Sequence, residues 1–289
     1  MNKNILITGA TGFIGSYLLK NFYPKKKIYI ILRGKSKKNK EFKKYKKIKI
    51  INYNKFDELN KKLKKLNIDI VIHCATHYVR HHKYSDILKL SKSNILFGNI
   101  ILENLKTMKT KKFINFSTIW EDYDSIKDNN NNLYSAYKKS FSILINYYSK
   151  VLSHIGFFNI MISDTFGEND NRLKIINILK KNYKNNITTK IISKNLFINL
   201  LNVRDIARAV DIIIKNNIKN GKYLIKNNTN YKLVDLINAF NLKVKKKLKV
   251  KWLSNKIIKE KIYPYKKLVG WSPRESSKGH IIDLIHKNM

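Results

Sequence analysis

The chain of 289 residues carries 60 lysines and arginines against 19 aspartates and glutamates, a formal charge of +41 at pH 7. Nearly all of these cations are lysines spread from end to end among many Asn and Ile residues, which is typical of an A/T-rich coding bias, so no nucleic-acid partner is expected. No run reaches the roughly 18 apolar residues of a membrane span, no signal-peptide pattern is present, and the single cysteine, Cys74, excludes an internal disulfide, so we expect a soluble cytoplasmic protein without a membrane partner.

Apolar runs and amphipathic stretches alternate along the first half of the chain. The runs are short and rich in Ile and Val, as in strands buried on both faces of a sheet, and the stretches between them have helical periodicity. The predicted strands are NILIT, KIYIILR, DIVIHCA, KFINFST and FNIMISDTFG, and the predicted helices include GSYLLKNFY, ELNKKLKKLN, NILFGNIILENLK and AYKKSFSILINYYSKVLSHI. This order predicts an α/β fold with a doubly wound parallel sheet of the Rossmann type.

The pattern loosens in the second half of the chain. RLKIINILKKNYKN predicts a helix, INLLNVRDIARAVDIIIKN predicts a strand that leads into a helix, and KLVDLINAF predicts a short helix. We therefore expect residues 1–160 to form the main domain. Residues 161–289 are expected to complete the sheet and to form a smaller C-terminal lobe.

Three glycines, Gly9, Gly12 and Gly15, lie between the first predicted strand and the first predicted helix, in ITGATGFIG. Such a turn lets the backbone approach a pyrophosphate closely, and the following helix offers free N–H groups and the positive end of its dipole. The motif predicts a dinucleotide-binding site. The alternative is a tight strand-to-helix turn without a ligand.

The end of the second predicted strand indicates which dinucleotide binds. An acidic residue there would bind the ribose of NAD, whereas a basic residue accommodates the additional phosphate of NADP. The chain has Arg33, followed by Lys35 and Lys37, and no acid at this point. NADP(H) is therefore favoured, with NAD(H) as the alternative if Arg33 is one more solvated cation.

Two groups of polar residues suggest proton chemistry. Tyr134 and Lys138, four residues apart in LYSAYKKS, are expected on one face of a helix. A neighbouring ammonium stabilises a phenolate, so the spacing predicts a Tyr134 pKa below 10 and a residue that exchanges a proton with a carbonyl or hydroxyl oxygen. Ser117 and Thr118 end the strand KFINFST, at the edge where an open parallel sheet binds ligands, although such residues also end strands for local reasons.

These pieces follow one another in a fixed order: the glycine turn, a strand ending in IHCAT, the helix NILFGNIILEN, a strand ending in FST, and Tyr-x-x-x-Lys. In this order they resemble the extended branch of the short-chain dehydrogenase/reductase superfamily, the NAD-dependent epimerases and dehydratases of nucleotide sugars. INLLNVRDIARAV, GKYLIKNNTNYKLVDLINAF and KKLVGWSPRESSKGHIIDLI are similar to later segments of that group, so the resemblance covers essentially the whole chain. It implies a nicotinamide cofactor, a nucleotide-linked sugar substrate bound by the C-terminal lobe, and a homodimer formed through helices that begin near Asn94 and Tyr134.

The resemblance also implies roles for individual residues. Tyr134 would donate or accept the proton, Lys138 would tune it and bind the nicotinamide ribose, and Thr118 would orient the reacting oxygen. The implied cofactor-binding residues are Gly9, Thr11, Gly12, Phe13, Ile14, Arg33, Asn54, Cys74, Ala75, Thr76, Asn94 and Lys138. The implied substrate-binding residues are Thr76, Thr118, Ile119, Trp120, Tyr134, Asp164, Thr165 and Arg172, the last of these as a diphosphate contact. No metal ligand is implied.

The chain departs from the group's pattern at two places. Asn54 and Asp57 fall where acids often face the adenine, and the first of them is an amide here. Arg204 stands where the group usually has an acid, and no role is assigned to it.

The residues after Thr118 narrow the reaction. Sugar 4,6-dehydratases of this group have an Asp-Glu pair there, whereas this chain has Ile119 and Trp120. Dehydration is therefore not expected unless Glu121 or Asp122 replaces that pair. Epimerase-reductases similar to fucose synthase need a cysteine and a histidine for epimerisation at carbon. The single cysteine of this chain is predicted inside a strand and is poorly placed for that reaction.

SDTFGENDNR and FSTIWEDY are similar to segments of bacterial 4-ketoreductases that make dideoxy sugars, such as abequose and paratose synthases. This similarity implies NADPH-dependent reduction of the C4 ketone of a nucleotide-linked 4-keto-deoxysugar in the biosynthesis of surface polysaccharide sugars, with Tyr134 as proton donor. The alternatives are a C4 epimerase with tightly held NAD and a catalytically silent NADP-sensing regulator.

Overall fold

The structure, a computed structural model, describes residues 3–23, 26–34, 42 and 45–286. Its strands are β1 Asn4–Thr8, β2 Lys27–Arg33, β3 Ile48–Tyr53, β4 Ile70–His73, β5 Lys112–Thr118, β6 Gly156–Ile162, β7 Asp164–Phe166, β8 Thr189–Ile191, β9 Phe197–Ile198, β10 Leu200–Asn202, β11 Gly221–Ile225, β12 Tyr231–Lys232, β13 Val250–Trp252 and β14 Lys266–Lys267. Its α-helices are α1 Phe13–Phe22, α2 Phe56–Leu63, α3 Tyr84–Leu90, α4 Phe97–Glu103, α5 Leu133–Val151, α6 Ile175–Lys184, α7 Val203–Lys215, α8 Leu233–Asn241 and α9 Lys278–His286. A π-helical segment, Ser91–Leu96, joins α3 to α4, and an interrupted 3-10 segment, Ile119–Ser125, follows β5.

An eight-stranded sheet in the order β14-β11-β6-β5-β4-β1-β2-β3 forms the centre of the fold. Every neighbouring pair in it is parallel. The strand order reverses between β1 and β4, and open parallel sheets bind ligands at such a point, outside the carboxyl ends of the strands. The predicted α/β fold with a doubly wound parallel sheet is confirmed.

Helices cover both faces of this sheet, which explains why its strands are almost continuously apolar. On one face Ile5 and Ile7 of β1 pack in a buried cluster with residues of α1 and α7. On the other face Leu6 packs with residues of α2, α4 and α5. A third buried cluster joins Phe166 of β7 to residues of α6, α8 and α9.

The structure refines several predicted boundaries. FNIMISDTFG forms two strands, because β6 stays in the central sheet and β7 pairs instead with β10. The predicted division at residue 160 lies within β6 and stays a prediction, while β11 and β14 from the second segment pair into the central sheet. In the part of the chain that the structure describes, no helix is both long enough and apolar enough to cross a membrane.

A close approach of two backbones fixes the turn after β1. Gly9 has a φ of +66°, and a Cβ at this residue would lie 2.6 Å from the backbone nitrogen of Ala75 and 2.7 Å from the carbonyl carbon of Cys74. The contacting atoms are backbone atoms just beyond the end of β4, so a flexible side chain cannot move to make room. Both the space and the backbone conformation at this position require glycine.

We expect Gly9→Ala to lower the free energy of unfolding by about 3 kcal/mol, because left-handed backbone costs about 1–2 kcal/mol for a residue with a Cβ and overpacking adds a similar amount. Gly270→Ala is the matched control, since Gly270 has a φ of +75° but nothing within 4 Å of a Cβ. It should lose about 1–2 kcal/mol. Urea denaturation of both variants measures the difference, and equal losses would show that the contact with β4 is unimportant.

Candidate active site

A cleft of about 400 Å³ lies at the carboxyl ends of β1, β4 and β5. The glycine turn, the residues after β4, the end of β5 and one face of α5 all line it. It brings together these predicted site residues: Gly9, Thr11, Gly12, Phe13, Ile14, Cys74, Ala75, Thr76, Thr118, Ile119, Trp120, Tyr134, Lys138, Asp164, Thr165 and Arg172. Arg33, Asn54 and Asn94 do not line this cleft, and the individual roles of all these residues stay predictions.

The glycine turn has the shape of a pyrophosphate cradle. The backbone nitrogen of Gly12 donates to the carbonyl of Gly9 at 2.9 Å, and α1 begins directly after it. Gly12 is the N-cap residue and supplies no side-chain cap, so the first N–H groups of α1 stay free for an anion. A Cβ on Gly15 would collide with the carbonyl oxygen of Gly9, which keeps helix and turn close together. These residues fit the pyrophosphate of a dinucleotide.

Asn94 acts behind the cleft wall. It is buried, and its Oδ1 accepts hydrogen bonds from the backbone nitrogen of His77 at 2.7 Å and from the hydroxyl of Thr76 at 3.2 Å. Its Nδ2 donates to the carbonyl of His77 at 3.0 Å. Asn94 therefore holds the segment that lines the cleft after β4.

The expectation that a helix opens at Asn94 is wrong. The helical stretch begins a few turns earlier, at Tyr84, where the side chain of Asp86 accepts a hydrogen bond from the backbone nitrogen of Lys83 at 3.0 Å. A carboxylate at this position of the first turn is a helix-start signal, and Asp86 was the residue in the sequence that could have shown it.

The residues predicted to select the dinucleotide lie at the ends of β2 and β3. Arg33 is the exposed last residue of β2, and the backbone nitrogen of Gly34 donates to the carbonyl of Tyr53 at 2.8 Å. Asn54 follows β3, and its backbone nitrogen donates to Glu58 at 2.9 Å. Because β1, β2 and β3 are neighbours, these positions extend the same sheet edge away from the glycine turn. Lys35 and Lys37 lie outside the described residues.

Tyr134 keeps its proton at neutral pH. Its ring packs edge-on against Tyr78, with the centroids 5.0 Å apart. Burial raises the pKa of Tyr134 to about 12, and the neighbouring Thr76 hydroxyl and the positive charge of Arg172 oppose this only in part. The expected pKa below 10 is therefore wrong for this structure, because the loss of water around a phenolate outweighs the charges near it.

Lys138 lies one turn further along α5 and is buried as well. Burial lowers its pKa to about 8, and the negative charge of Glu121 is the largest effect that opposes this. Glu121 is completely buried, accepts hydrogen bonds from the hydroxyls of Ser117 and, at 2.7 Å, Ser142, and lies 3.4 Å from Nζ of Lys222. Lys138, the candidate catalytic lysine, is therefore close enough to the buried carboxylate of Glu121 for the two charges to interact.

The carboxylates of Glu121 and Asp122 do not replace the acid pair of a dehydratase. Glu121 is enclosed as described, and Asp122 is buried in an ion pair with Lys139 at 2.8 Å. Neither lines the cleft, whose wall beside Thr118 consists of Ile119 and Trp120.

Lys174, which the sequence did not single out, makes three contacts at the far side of the cleft. Nζ of Lys174 lies 2.8 Å from Oδ1 of Asp164, 4.7 Å from the ring centre of Tyr78 and 5.2 Å from that of Trp120. Lys174 lines the cleft, but nothing in so lysine-rich a chain distinguishes it from a solvated lysine.

Arg172 connects the residues of β7 and the loop after it to Phe13, at the start of α1. Its guanidinium is paired with Asp170 at 2.7 Å, donates to the hydroxyl of Thr165 at 2.8 Å and lies over the ring of Phe13 at 4.2 Å. Arg204, whose role was open, lies outside the cleft in surface ion pairs with Glu168 at 3.1 Å and Glu275 at 3.6 Å.

The sequence matches the model of one known protein family over most of its length. The model of the NAD dependent epimerase/dehydratase family matches residues 5–225. The chain belongs to this family. The CDP-abequose synthase of Salmonella muenchen is 27% identical over 243 residues, which is 84% of this chain and 80% of that protein.

A second protein is similar in sequence, and a solved structure shares the fold. The CDP-abequose synthase of Yersinia pseudotuberculosis is 28% identical over 221 residues, 76% of this chain and 75% of that protein. The structure of UDP-glucuronic acid 4-epimerase from Bacillus cereus in complex with UDP-glucuronic acid and NAD is 21% identical, covers 99% of this chain and 100% of that chain, and has a TM-score of 0.79. The predicted membership of the extended short-chain dehydrogenase/reductases is confirmed, and with it the class of an oxidoreductase or epimerase.

We expect Lys138→Met to stabilise the protein at pH 7 by about 1–3 kcal/mol, because a buried ammonium with a lowered pKa opposes folding. Between the folded pKa of about 8 and the ordinary lysine pKa of 10.5, the unfolded chain binds more protons than the folded one. The wild type therefore gains stability as the pH rises through this window, and the advantage of the variant shrinks there.

Lys139→Met is the matched control, since ion pairs with Asp122 and Asp128 raise the pKa of Lys139 and its removal should destabilise the protein. Urea denaturation at several pH values between 6 and 10.5 measures both variants. A Lys138→Met variant that is less stable than the wild type at pH 7 would contradict the electrostatic argument.

Proposed function

We propose that the chain is a cytoplasmic enzyme that reduces the C4 ketone of a nucleotide-linked 4-keto-deoxyhexose, with NADPH as the hydride source. The observation that carries the proposal is that one cleft contains the glycine turn together with Thr118, Tyr134 and Lys138. The similarity to CDP-abequose synthases along most of the chain supports a nucleotide-linked sugar as the substrate.

The side chains of the cleft suit proton donation to a ketone. Tyr134 is protonated at neutral pH and can donate its proton to the ketone oxygen as negative charge develops there. The hydroxyl of Thr118, at the end of β5, can hydrogen-bond the same oxygen and fix its position. Lys138 adds positive charge on the same helical face, which stabilises the phenolate that Tyr134 leaves behind. Bound NADPH would supply the hydride from its nicotinamide.

Dehydration fits the cleft less well. Elimination of water needs its own acid and base, and the wall beside Thr118 offers Ile119 and Trp120 instead. A C4 epimerase would use the same Thr118, Tyr134 and Lys138 and is the second candidate, whereas the similarity to CDP-abequose synthases along most of the chain favours reduction.

The cofactor preference rests on Arg33. A guanidinium at the carboxyl end of β2 can form bidentate hydrogen bonds with the 2′-phosphate of NADPH. The sequence has no acidic residue between Arg33 and Lys40 that would bind a free ribose hydroxyl.

We also propose that the chain forms a homodimer through α3 and α5. Apolar side chains are strongly exposed on both helices: Tyr84 at 91%, Leu88 at 61%, Ile143 at 62% and Tyr147 at 59%. Exposed apolar surface of this kind on two helices is typical of a protein interface.

Tyr134→Phe should lower turnover by about 10²–10⁴-fold, the usual contribution of a positioned proton donor, while NADPH binding changes less than about twofold. The assay follows NADPH absorbance with CDP-, dTDP-, GDP- and UDP-linked 4-ketosugars, and NADPH fluorescence reports binding. Tyr137→Phe on the same helix is the control, since its hydroxyl only contacts Ser91, at 2.8 Å. Wild-type turnover in the Tyr134→Phe variant would remove this residue from the mechanism.

Arg33→Ala should raise the Kd for NADPH about tenfold or more, because one bidentate ion pair with phosphate is lost, and should leave the Kd for NADH unchanged. Lys27→Ala, which removes an exposed cation from the opposite end of β2, is the matched control. Equal effects on the two cofactors would show that Arg33 does not read the 2′-phosphate.

A further inference from the structure

A second cleft, of about 1010 Å³, opens beside the catalytic cleft. The two clefts share part of one wall, which includes Trp120, Asp164, Arg172 and Lys174. From this junction the second cleft runs past the start of α6 and the segment at residues 253–262. A ligand that reaches Tyr134 and extends into the second cleft passes this junction.

Glu260 lies in the wall of the second cleft, next to the junction. Its Oε2 accepts a hydrogen bond from the indole Nε1 of Trp120 at 3.3 Å. Its Oε1 is buried and has no hydrogen-bond partner among the described residues. A buried acceptor without a partner costs about 1–3 kcal/mol, so native structures keep such groups where something else satisfies them.

The charges that act on Glu260 make this arrangement costlier. Burial, together with the negative charges of Asp164 and Asp124, raises the pKa of Glu260 to about 7, although the hydrogen bond from Trp120 opposes this. Lys174, the nearby cation, is paired with Asp164 at 2.8 Å. Trp120 thus holds Oε2 of the Glu260 carboxyl group in place, and Oε1 has no hydrogen-bond partner among the described residues.

The neighbours of this oxygen indicate the kind of group that it binds. Trp120 follows Thr118 by two residues, and its backbone nitrogen donates to the Thr118 hydroxyl at 3.3 Å. Glu260 is therefore connected through Trp120 to the residue proposed to hold the reacting ketone oxygen. A phosphate would bind Arg172 and Lys174 and not Glu260, because a carboxylate and a phosphate are both negatively charged acceptors. A sugar hydroxyl can donate a hydrogen bond to Glu260 when the side chain is a carboxylate, and it can accept one when the side chain is a carboxylic acid. A hydroxyl therefore suits Glu260 in both protonation states.

We propose that Oε1 of Glu260 hydrogen-bonds a ring hydroxyl of the hexose and thereby selects among nucleotide-linked sugars. This inference rests on the proposed function, because it takes the substrate to be a nucleotide-linked hexose. It adds a specificity-determining residue from the C-terminal part of the chain, distant in sequence from Thr118, Tyr134 and Lys138.

Binding of unreactive substrate analogues tests the proposal without turnover. Isothermal titration calorimetry compares CDP, UDP, dTDP and GDP with their glucose-linked forms, which carry no ketone to reduce. The variants are Glu260→Leu, which removes the hydrogen bond, and Glu260→Gln, which keeps a donor and an acceptor. Asp211→Asn is the matched control, since it removes one carboxylate from a surface pair with Lys215 on α7.

We expect Glu260→Leu to weaken binding of the preferred nucleotide-linked glucose about tenfold or more, while the nucleoside diphosphate alone changes less than about twofold. Glu260→Gln should retain part of the affinity, and Asp211→Asn all of it. Among the 2-, 3- and 6-deoxy forms of the same nucleotide-linked glucose, one should bind the wild type weakly and lose nothing further in Glu260→Leu. That form identifies the hydroxyl.

The proposal is overturned if Glu260→Leu binds the nucleotide-linked glucose as the wild type does, if it weakens the nucleoside diphosphate equally, or if the wild type binds none of the glucose-linked forms. The proposed function fails separately. Dependence on Glu260 without reduction of any 4-ketosugar contradicts the reductase and keeps the inference, whereas reduction without dependence on Glu260 does the reverse.

Discussion

The contact between the turn after β1 and the segment after β4 is the constraint on which the site depends. The strand order places β1 and β4 side by side, and Gly9 lets their two chains meet at backbone distance. The same segment continues to Thr76, whose hydroxyl donates to Oδ1 of Asn94 and lies next to the phenol of Tyr134. One pair of neighbouring strands therefore fixes the glycine turn and Tyr134, the proposed proton donor, relative to each other.

Burial, more than pairing of charges, sets the chemistry of this cleft. Tyr134 and Lys138 lie on one helical face, yet the pKa of the phenol rises and that of the ammonium falls. Desolvation disfavours the charged form of each group, and Glu121 under Lys138 offsets only part of it. The result is a phenol with a raised pKa on the same helical face as a lysine that keeps its charge less readily than a surface lysine.

Local patterns predicted the parts of the fold that local sequence determines. The glycine turn, the alternation of strands and helices, and the face shared by Tyr134 and Lys138 depend on residues a few positions apart, and these were predicted correctly. The helix start at Asn94 and the direction of the Tyr134 pKa were predicted wrongly, because the helical stretch already begins at Tyr84 and because burial is a property of the whole fold. Lys174 and Glu260 could not be recognised, since only tertiary contacts bring them to Trp120.

The high positive charge has little to do with how this cleft recognises a ligand. Many lysines act locally, as Lys112 does when its Nζ donates to the carbonyls of Ile213 at 2.6 Å and Asn216 at 2.7 Å, at the end of α7. A net charge of +41 attracts any anionic nucleotide, so charge cannot distinguish one sugar from another. Discrimination needs hydrogen bonds to the uncharged ring. In a chain so rich in cations, a buried carboxyl oxygen on Glu260 without a partner among the described residues is therefore better explained by a ligand hydroxyl than by a shortage of lysines.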